Sequence, residues 1–301
     1  MRSMLRIYSL FFLTLCFSVA IAQRDFSWKS EYPYQIIDWS QYIQMAPAYM
    51  GPHALPVPSI YEARVLDQAE LEMGYTHYSH QDGEAPTNAA YTRIYYPVAA
   101  HRVGLELQFV PYESFSYSDE MADYMHTIQT SGHGGGDVYI NTYIQILKQN
   151  DKRRPDLTLR YALRTASGSE VNNARHTDSP GYHFDLSLGK DVYAEGDELV
   201  RFYALLGFYV WQVPDYSKMQ NDAILYGMGA SYHHQAWAIK WHLGGYHGYK
   251  NDGDSPMVMR FQGDVPLSEH FRARVLYEQG FRDFPYNGIH LRLLYSFKPW
   301  G

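Results

Sequence analysis

The sequence predicts an all-β fold, a transmembrane antiparallel β-barrel of about 12 strands with an N-terminal non-barrel extension. Three observations carry this. Short stretches of alternating apolar and polar residues recur from about Ala69 to Phe297. The chain opens on a segment with the make-up of an export signal. Finally, 29 Tyr, 14 Phe and 6 Trp occur in a chain whose mean hydropathy is still negative, at −0.40. A strand with one oily and one charged face suits a closed sheet that has lipid outside and a polar lumen within. Aromatic enrichment without long apolar runs is what the interfacial girdles of such a barrel require. A secreted β-sandwich would also alternate, but it calls for neither so many strands nor the final run Leu291, Leu293, Tyr295, Phe297.

Residues 1–22 read as a signal peptide. Arg2 and Arg6 precede the apolar run from Ile7 to Val19, and Ala20-Ile21-Ala22 supplies a small-residue cleavage site before Gln23. The apolar run is shorter than the roughly 20 residues a spanning helix needs. Cys16, the one cysteine, lies inside this segment behind Leu15, so no lipid attachment and no disulfide is expected. Loss of Arg2 and Arg6 takes the formal net charge from −7 to −9, which argues against a nucleic-acid partner.

Residues 23–68 form an N-terminal extension or plug. Pro33, Pro47, Pro52, Pro56 and Pro58 interrupt it and no period of two is sustained, so it is not barrel wall. A short helix fits residues 36–44. The sequence leaves open whether the segment lies in the periplasm or folds into the lumen.

The barrel occupies residues 69–301. In its first strand Leu71, Met73 and Tyr75 oppose Glu70, Glu72 and Thr76. Further on, Leu105 and Leu107 oppose Glu106, Leu159 and Tyr161 oppose Arg160 and Arg164, and Phe184 and Leu186 oppose Asp185. Val275 and Tyr277 oppose Arg274 and Glu278 in the same way. Strands near Val200–Gln212 and Ala223–Tyr232 are apolar on both faces, which leaves their facing open. An arginine on the lipid face near the midplane costs about 2–4 kcal/mol. Arg93, Arg160, Arg164, Arg260, Arg272, Arg274 and Arg292 are therefore expected inside, meeting Glu70, Glu72, Glu106, Asp185 and Glu278. Such a lumen reads either as a selective channel or as a salt-bridged structural core. Outer loops are expected at 80–87, 113–136, 165–181, 213–222, 248–256 and 280–288, with Gly132–Gly136 as loop and Lys190–Leu199 as a periplasmic turn. His233, His234, His242 and His247 do not have metal-ligand spacing, and no metal is predicted.

One constellation could carry chemistry. The stretch Glu72-Met73-Gly74-Tyr75-Thr76-His77-Tyr78-Ser79 is followed, after a short loop, by Asn88 and then Tyr91-Thr92-Arg93. Over residues 70–93 this resembles the catalytic hairpin of outer-membrane phospholipase A. The resemblance implies Ser79 as nucleophile, His77 as its general base and Asn88 as the residue that holds the imidazole. Calcium is implied only through this resemblance, and otherwise no cofactor is expected. Where the family continues with Asn-Gly, this chain has His80-Gln81-Asp82-Gly83. His77 and Ser79 share the phase of Leu71 and Met73, which puts them on the lipid side.

The expected function is a non-enzymatic envelope role in the bacterial outer membrane, a porin-like narrow pore or a surface scaffold in contact with membrane lipid. The alternative is a serine lipid hydrolase. The sequence names no protein partner.

Overall fold

The computed structural model describes residues 43–81, 85–99, 101–127, 129–149, 154–213 and 220–299. The export signal, residues 23–42 and all but the end of the helix expected at 36–44 lie outside them. Thirteen strands are formed among the described residues: β1 (Ala69–His80), β2 (Thr87–Ala99), β3 (Val103–Ser116), β4 (Ser131–Gly134), β5 (Val138–Leu147), β6 (Asp156–Arg164), β7 (Gly181–Glu195), β8 (Glu198–Gln212), β9 (Gln220–His234), β10 (Trp237–Gly248), β11 (Met257–Pro266), β12 (Phe271–Arg282) and β13 (Tyr286–Phe297). A short helix α1 (Asp119–Met125), capped by the Ser118 side chain, lies between β3 and β4.

The chain meanders, each strand pairing antiparallel with its neighbours, and the sheet closes where β1 meets β13 from Ala69↔Phe297 to His80↔Tyr286. β4 pairs only with the outer end of β3, from Glu113 to Ser116. The wall is thus a closed barrel of twelve staves with one short added strand. Closure leaves none of the twelve staves as a free sheet edge, the condition a sheet must meet in hydrocarbon.

Facing follows the alternation. Met73, Leu186, Ile224, Val275 and Leu291 are exposed on the outside, while Glu72, Asp185, Arg164 and Glu278 are buried inside. The two strands of open facing resolve cleanly. Phe202, Leu206, Ile224 and Met228 point out, and Tyr203, Leu205, Tyr209, Ala223 and Leu225 point in.

Two expectations about connections are corrected. Lys190–Leu199 is not a loose turn: β7 and β8 continue to Glu195 and Glu198 across a two-residue turn in which Gly196 adopts φ +56°. The charges at Lys190, Asp191 and Glu195 read as turn residues, yet Asp191 is drawn into the wall by Arg201 at 2.7 Å. Nor is Gly132–Gly136 all loop, because Ser131–Gly134 forms β4. Glycine is needed there: a Cβ on Gly134 would stand 2.2 Å from Ser169 Oγ.

Residues 43–68 run through the lumen. Ala54, Leu55, Val57, Ile60, Ala63 and Val65 are all buried. At the end of the barrel with long loops, Gly51 N donates to Ala174 O (2.8 Å) and Tyr286 to Met50 O (3.1 Å). At the end with short turns, Val65 N donates to Gln145 Oε1 (2.9 Å) and Leu66 N to the Tyr95 hydroxyl (3.0 Å). Irregular backbone at membrane depth is tolerated only when protein surrounds it and supplies its hydrogen bonds. Wall arginines do so here. Arg160 donates to Ser59 O (2.8 Å), Arg164 to Ala54 O (2.5 Å), Arg201 to Glu62 O (2.8 Å) and Arg260 to Val57 O (2.7 Å).

Candidate lumen site

The inward face beside this inner segment is a lattice of ion pairs. Glu72, on β1, accepts from Arg93 of β2 (3.2 Å), Arg274 of β12 (3.0 Å) and Arg292 of β13 (2.9 Å). Arg93 also donates to Glu70 (3.0 Å) and Glu106 (2.5 Å), and Arg272 donates to Glu70. Arg260 pairs with Glu278, and Arg160 with its ladder neighbour Asp185 at 2.7 Å. Arg164 does not join an acid of the expected set. It lies 3.8 Å from Asp137 and spends one nitrogen on the inner segment.

Several members were not foreseen. Asp264 grips Arg274 through both carboxylate oxygens (2.8 and 2.9 Å). Arg201 bridges Asp156 (2.6 Å) and Asp191 (2.7 Å), and Arg64 of the inner segment reaches the same two acids. Glu62 accepts from Lys240 (2.5 Å), Ser231 (2.5 Å) and His233 (2.6 Å). Asp264 shares the phase of the inward Arg260, whereas Arg201 lies on a strand whose facing the sequence leaves open and nothing local marks Glu62 or Arg64, whose partners are distant in sequence.

A cavity of about 850 Å³ remains between the inner segment and the wall, lined by nine acidic and nine basic side chains. Turn residues Gln235, Ala236, Ser268 and His270 belong to its lining, so it opens at the short-turn end. The opposite end is occupied by a cap. Arg175 donates to Glu113 (2.6 Å), to the Tyr117 hydroxyl (2.7 Å) and to Thr87 (2.9 Å), and His53 of the inner segment bonds Glu113. Burial works against the Arg175 charge, but Glu113 and Tyr117 hold its pKa above the ordinary value. Burial pushes the neighbouring His176 below its ordinary value, against the pull of Glu113 and Asp137. Among the described residues no group of three or more His, Cys, Asp or Glu side chains is placed to hold a metal ion.

On the outer wall, His77 and Asn88 face each other in the β1–β2 ladder, and His77 Nδ1 donates to Asn88 Oδ1 at 2.8 Å. The Tyr75 hydroxyl donates to the same oxygen. Ser79 lies opposite Asn287 of β13 and bonds neither His77 nor Asn88 among the described residues. Two of the three residues named by the hairpin resemblance therefore meet.

No family model matches the chain, and no curated protein does. Solved structures do. An outer membrane channel from Pseudomonas putida F1 aligns over 80% of this chain and 99% of its own length, with a TM-score of 0.57 at 13% identity. The fold is that of an outer-membrane β-barrel. The KdgM porin (TM-score 0.43, 11% identity, 75% of this chain and 99% of that one) is a weaker match to the same class. So is the β domain of the Bordetella autotransporter BrkA (TM-score 0.45, 15% identity, 76% and 99%).

The cavity is a vestibule open at the short-turn end, and the cap of Arg175, Glu113 and His53 closes the end with long loops. Equal numbers of opposite charges, most of them in ion pairs, give this vestibule polar walls without a strong net field.

Proposed function

We propose that the protein is a narrow, plugged channel of the bacterial outer membrane, in which small polar solutes pass beside residues 43–68. The observation that carries this reading is the cavity of about 850 Å³ alongside the inner segment. A lumen meant only as a structural core would be filled by its charge pairs and its plug. Here the lattice around Glu72 lines open space. The apolar exterior contacts membrane lipid, and the reading calls for no cofactor.

The lipid-hydrolase alternative has the His77–Asn88 bond on the lipid-facing wall in its favour. Against it stands a Ser79 hydroxyl that is not bonded to the imidazole meant to activate it. The channel is the better-supported reading.

Planar-bilayer recording of the refolded mature chain tests it. Stepwise currents are expected, with a reversal potential that moves toward anion selectivity in Glu72→Gln, since three arginines then lose their shared carboxylate. Breaking a buried pair costs about 3–5 kcal/mol, so heat-modifiable gel migration should accompany the recording to show that the variant is folded. A folded wild-type barrel that passes no current under any polarity would defeat the proposal.

A further inference from the structure

The polar groups of the vestibule fall into two kinds. Most of the charged ones are ion-paired, but several neutral ones have no partner. His183 Nε2, both ring nitrogens of His242 and His290 Nε2 have no hydrogen-bond partner, although these side chains are about 95% buried. The hydroxyls of Tyr139 and Tyr209 likewise have no hydrogen-bond partner. All five side chains line the cavity.

Three of them form one surface. The edge of the His183 ring meets the Tyr209 ring at 5.6 Å and 80°, and Tyr209 is braced from behind by Trp211 and Tyr246, each 5.1 Å away. In the ladder His183 is flanked by Ala162, and Tyr209 by Ala223, so small residues stand beside both rings. Arg160 Nη2, on a guanidinium already bonded to Asp185, adds a donor without a partner.

A phenol hydroxyl both donates and accepts, and a neutral imidazole donates at one nitrogen and accepts at the other. The complement of such a surface is a solute whose own groups both donate and accept and which carries no net charge. A carboxylate placed there would crowd the Asp185 carboxylate that Arg160 already neutralises, and an ammonium would meet the Arg160 guanidinium itself. From these features we infer that the vestibule binds an uncharged sugar of one or two rings at Tyr139, His183 and Tyr209. The cavity lies within the usual range of small-molecule sites, roughly 300–1,000 Å³. The inference names the solute class of the proposed channel and rests on that reading for its role in transport.

The test is titration of the refolded mature chain with glucose and with sucrose, in an amine-oxide detergent that has no sugar headgroup, followed by calorimetry and by Trp fluorescence. Saturable binding is expected for at least one of the two. Tyr209→Phe and Tyr139→Phe keep the rings and remove one hydroxyl each, and should weaken binding by about tenfold. His183→Asn should act in the same direction, and glucuronate and glucosamine should bind about tenfold more weakly than glucose. Absence of saturable binding by folded wild type, equal affinity in all three variants, or equal affinity for the charged sugars would each overturn the inference. Binding that persists in a barrel without conductance would uphold the site and defeat only the channel.

Discussion

Ile60 fits the wall at Gly227: a Cβ there would stand 2.4 Å from Ile60 Cδ1, and one at Gly244 would stand 2.8 Å from the same atom. Glycine inside a strand weakens it by roughly 0.5–1 kcal/mol relative to alanine, and here it admits a side chain of the inner segment into the wall. Removing that side chain should loosen the segment and leave the ladders intact. Ile60→Ala is expected to weaken docking of residues 43–68 by about 2–5 kcal/mol, raising unit conductance and proteolysis within the segment while heat-modifiable migration of the barrel stays as in wild type. Unchanged conductance and unchanged cleavage would mean that the segment is held by its backbone bonds alone.

The cap at the long-loop end should respond to acid through His176. This residue of the outer 165–180 loop is 1% exposed and packed so tightly that a Cβ on Gly168 would reach 2.4 Å from its Cγ. Burial lowers its pKa in the fold below the ordinary 6.5, with Glu113 and Asp137 opposing that shift and His53 and Arg175 adding to it. The unfolded loop therefore takes up a proton before the folded one does. Its stabilising contribution is complete above about pH 6.5 and is lost as pH falls from there toward the depressed folded value. Protease cleavage of the loop should rise between pH 8 and pH 5 in wild type and much less in His176→Gln. Parallel pH profiles would place the sensitivity elsewhere.

The wall was legible because each stave carries its own code. A period of two separates Met73 from Glu72 and Leu186 from Asp185 whatever the rest of the chain does, and the cost of a lipid-facing arginine sorts the two faces. The inner segment has no such code. It is held largely through main-chain carbonyls, such as Ser59 O and Val57 O, which any residue type supplies. Its trace in the sequence is indirect, in strands β8 and β9 that are apolar on both faces and in glycines at positions 227 and 244. Inward arginines could be named, yet their partners could not always be paired: Arg160 finds Asp185 across the ladder, whereas Arg164 turns to Ala54 O. For the hairpin, phase placed His77 beside Asn88, but phase cannot orient a serine hydroxyl.

The outward face can be tested at Leu206. It is 65% exposed on β8, between Leu186 of β7 and Tyr226 of β9 in the ladder. If that surface meets hydrocarbon, Leu206→Arg should lower the stability of the barrel by about 2–4 kcal/mol in guanidinium unfolding from lipid vesicles. The penalty should shrink when the same variant is unfolded from detergent micelles, where the charge reaches water. A variant as stable as wild type in vesicles would show that this face is not in lipid.

Ser79 separates the channel from the lipid hydrolase. A serine nucleophile needs its proton taken by Nε2 of an imidazole whose Nδ1 is held by a third residue; His77 Nδ1 is held by Asn88, whose oxygen the Tyr75 hydroxyl also engages, but among the described residues no bond joins His77 to Ser79. If the hairpin does no chemistry, refolded wild type and Ser79→Ala should release fatty acid from phospholipid in mixed micelles at the same background rate, with calcium or without it. A calcium-dependent rate in wild type that falls by about 10³-fold or more in Ser79→Ala would restore the hydrolase. The lumen would then be only the frame that carries an active hairpin on its outer wall.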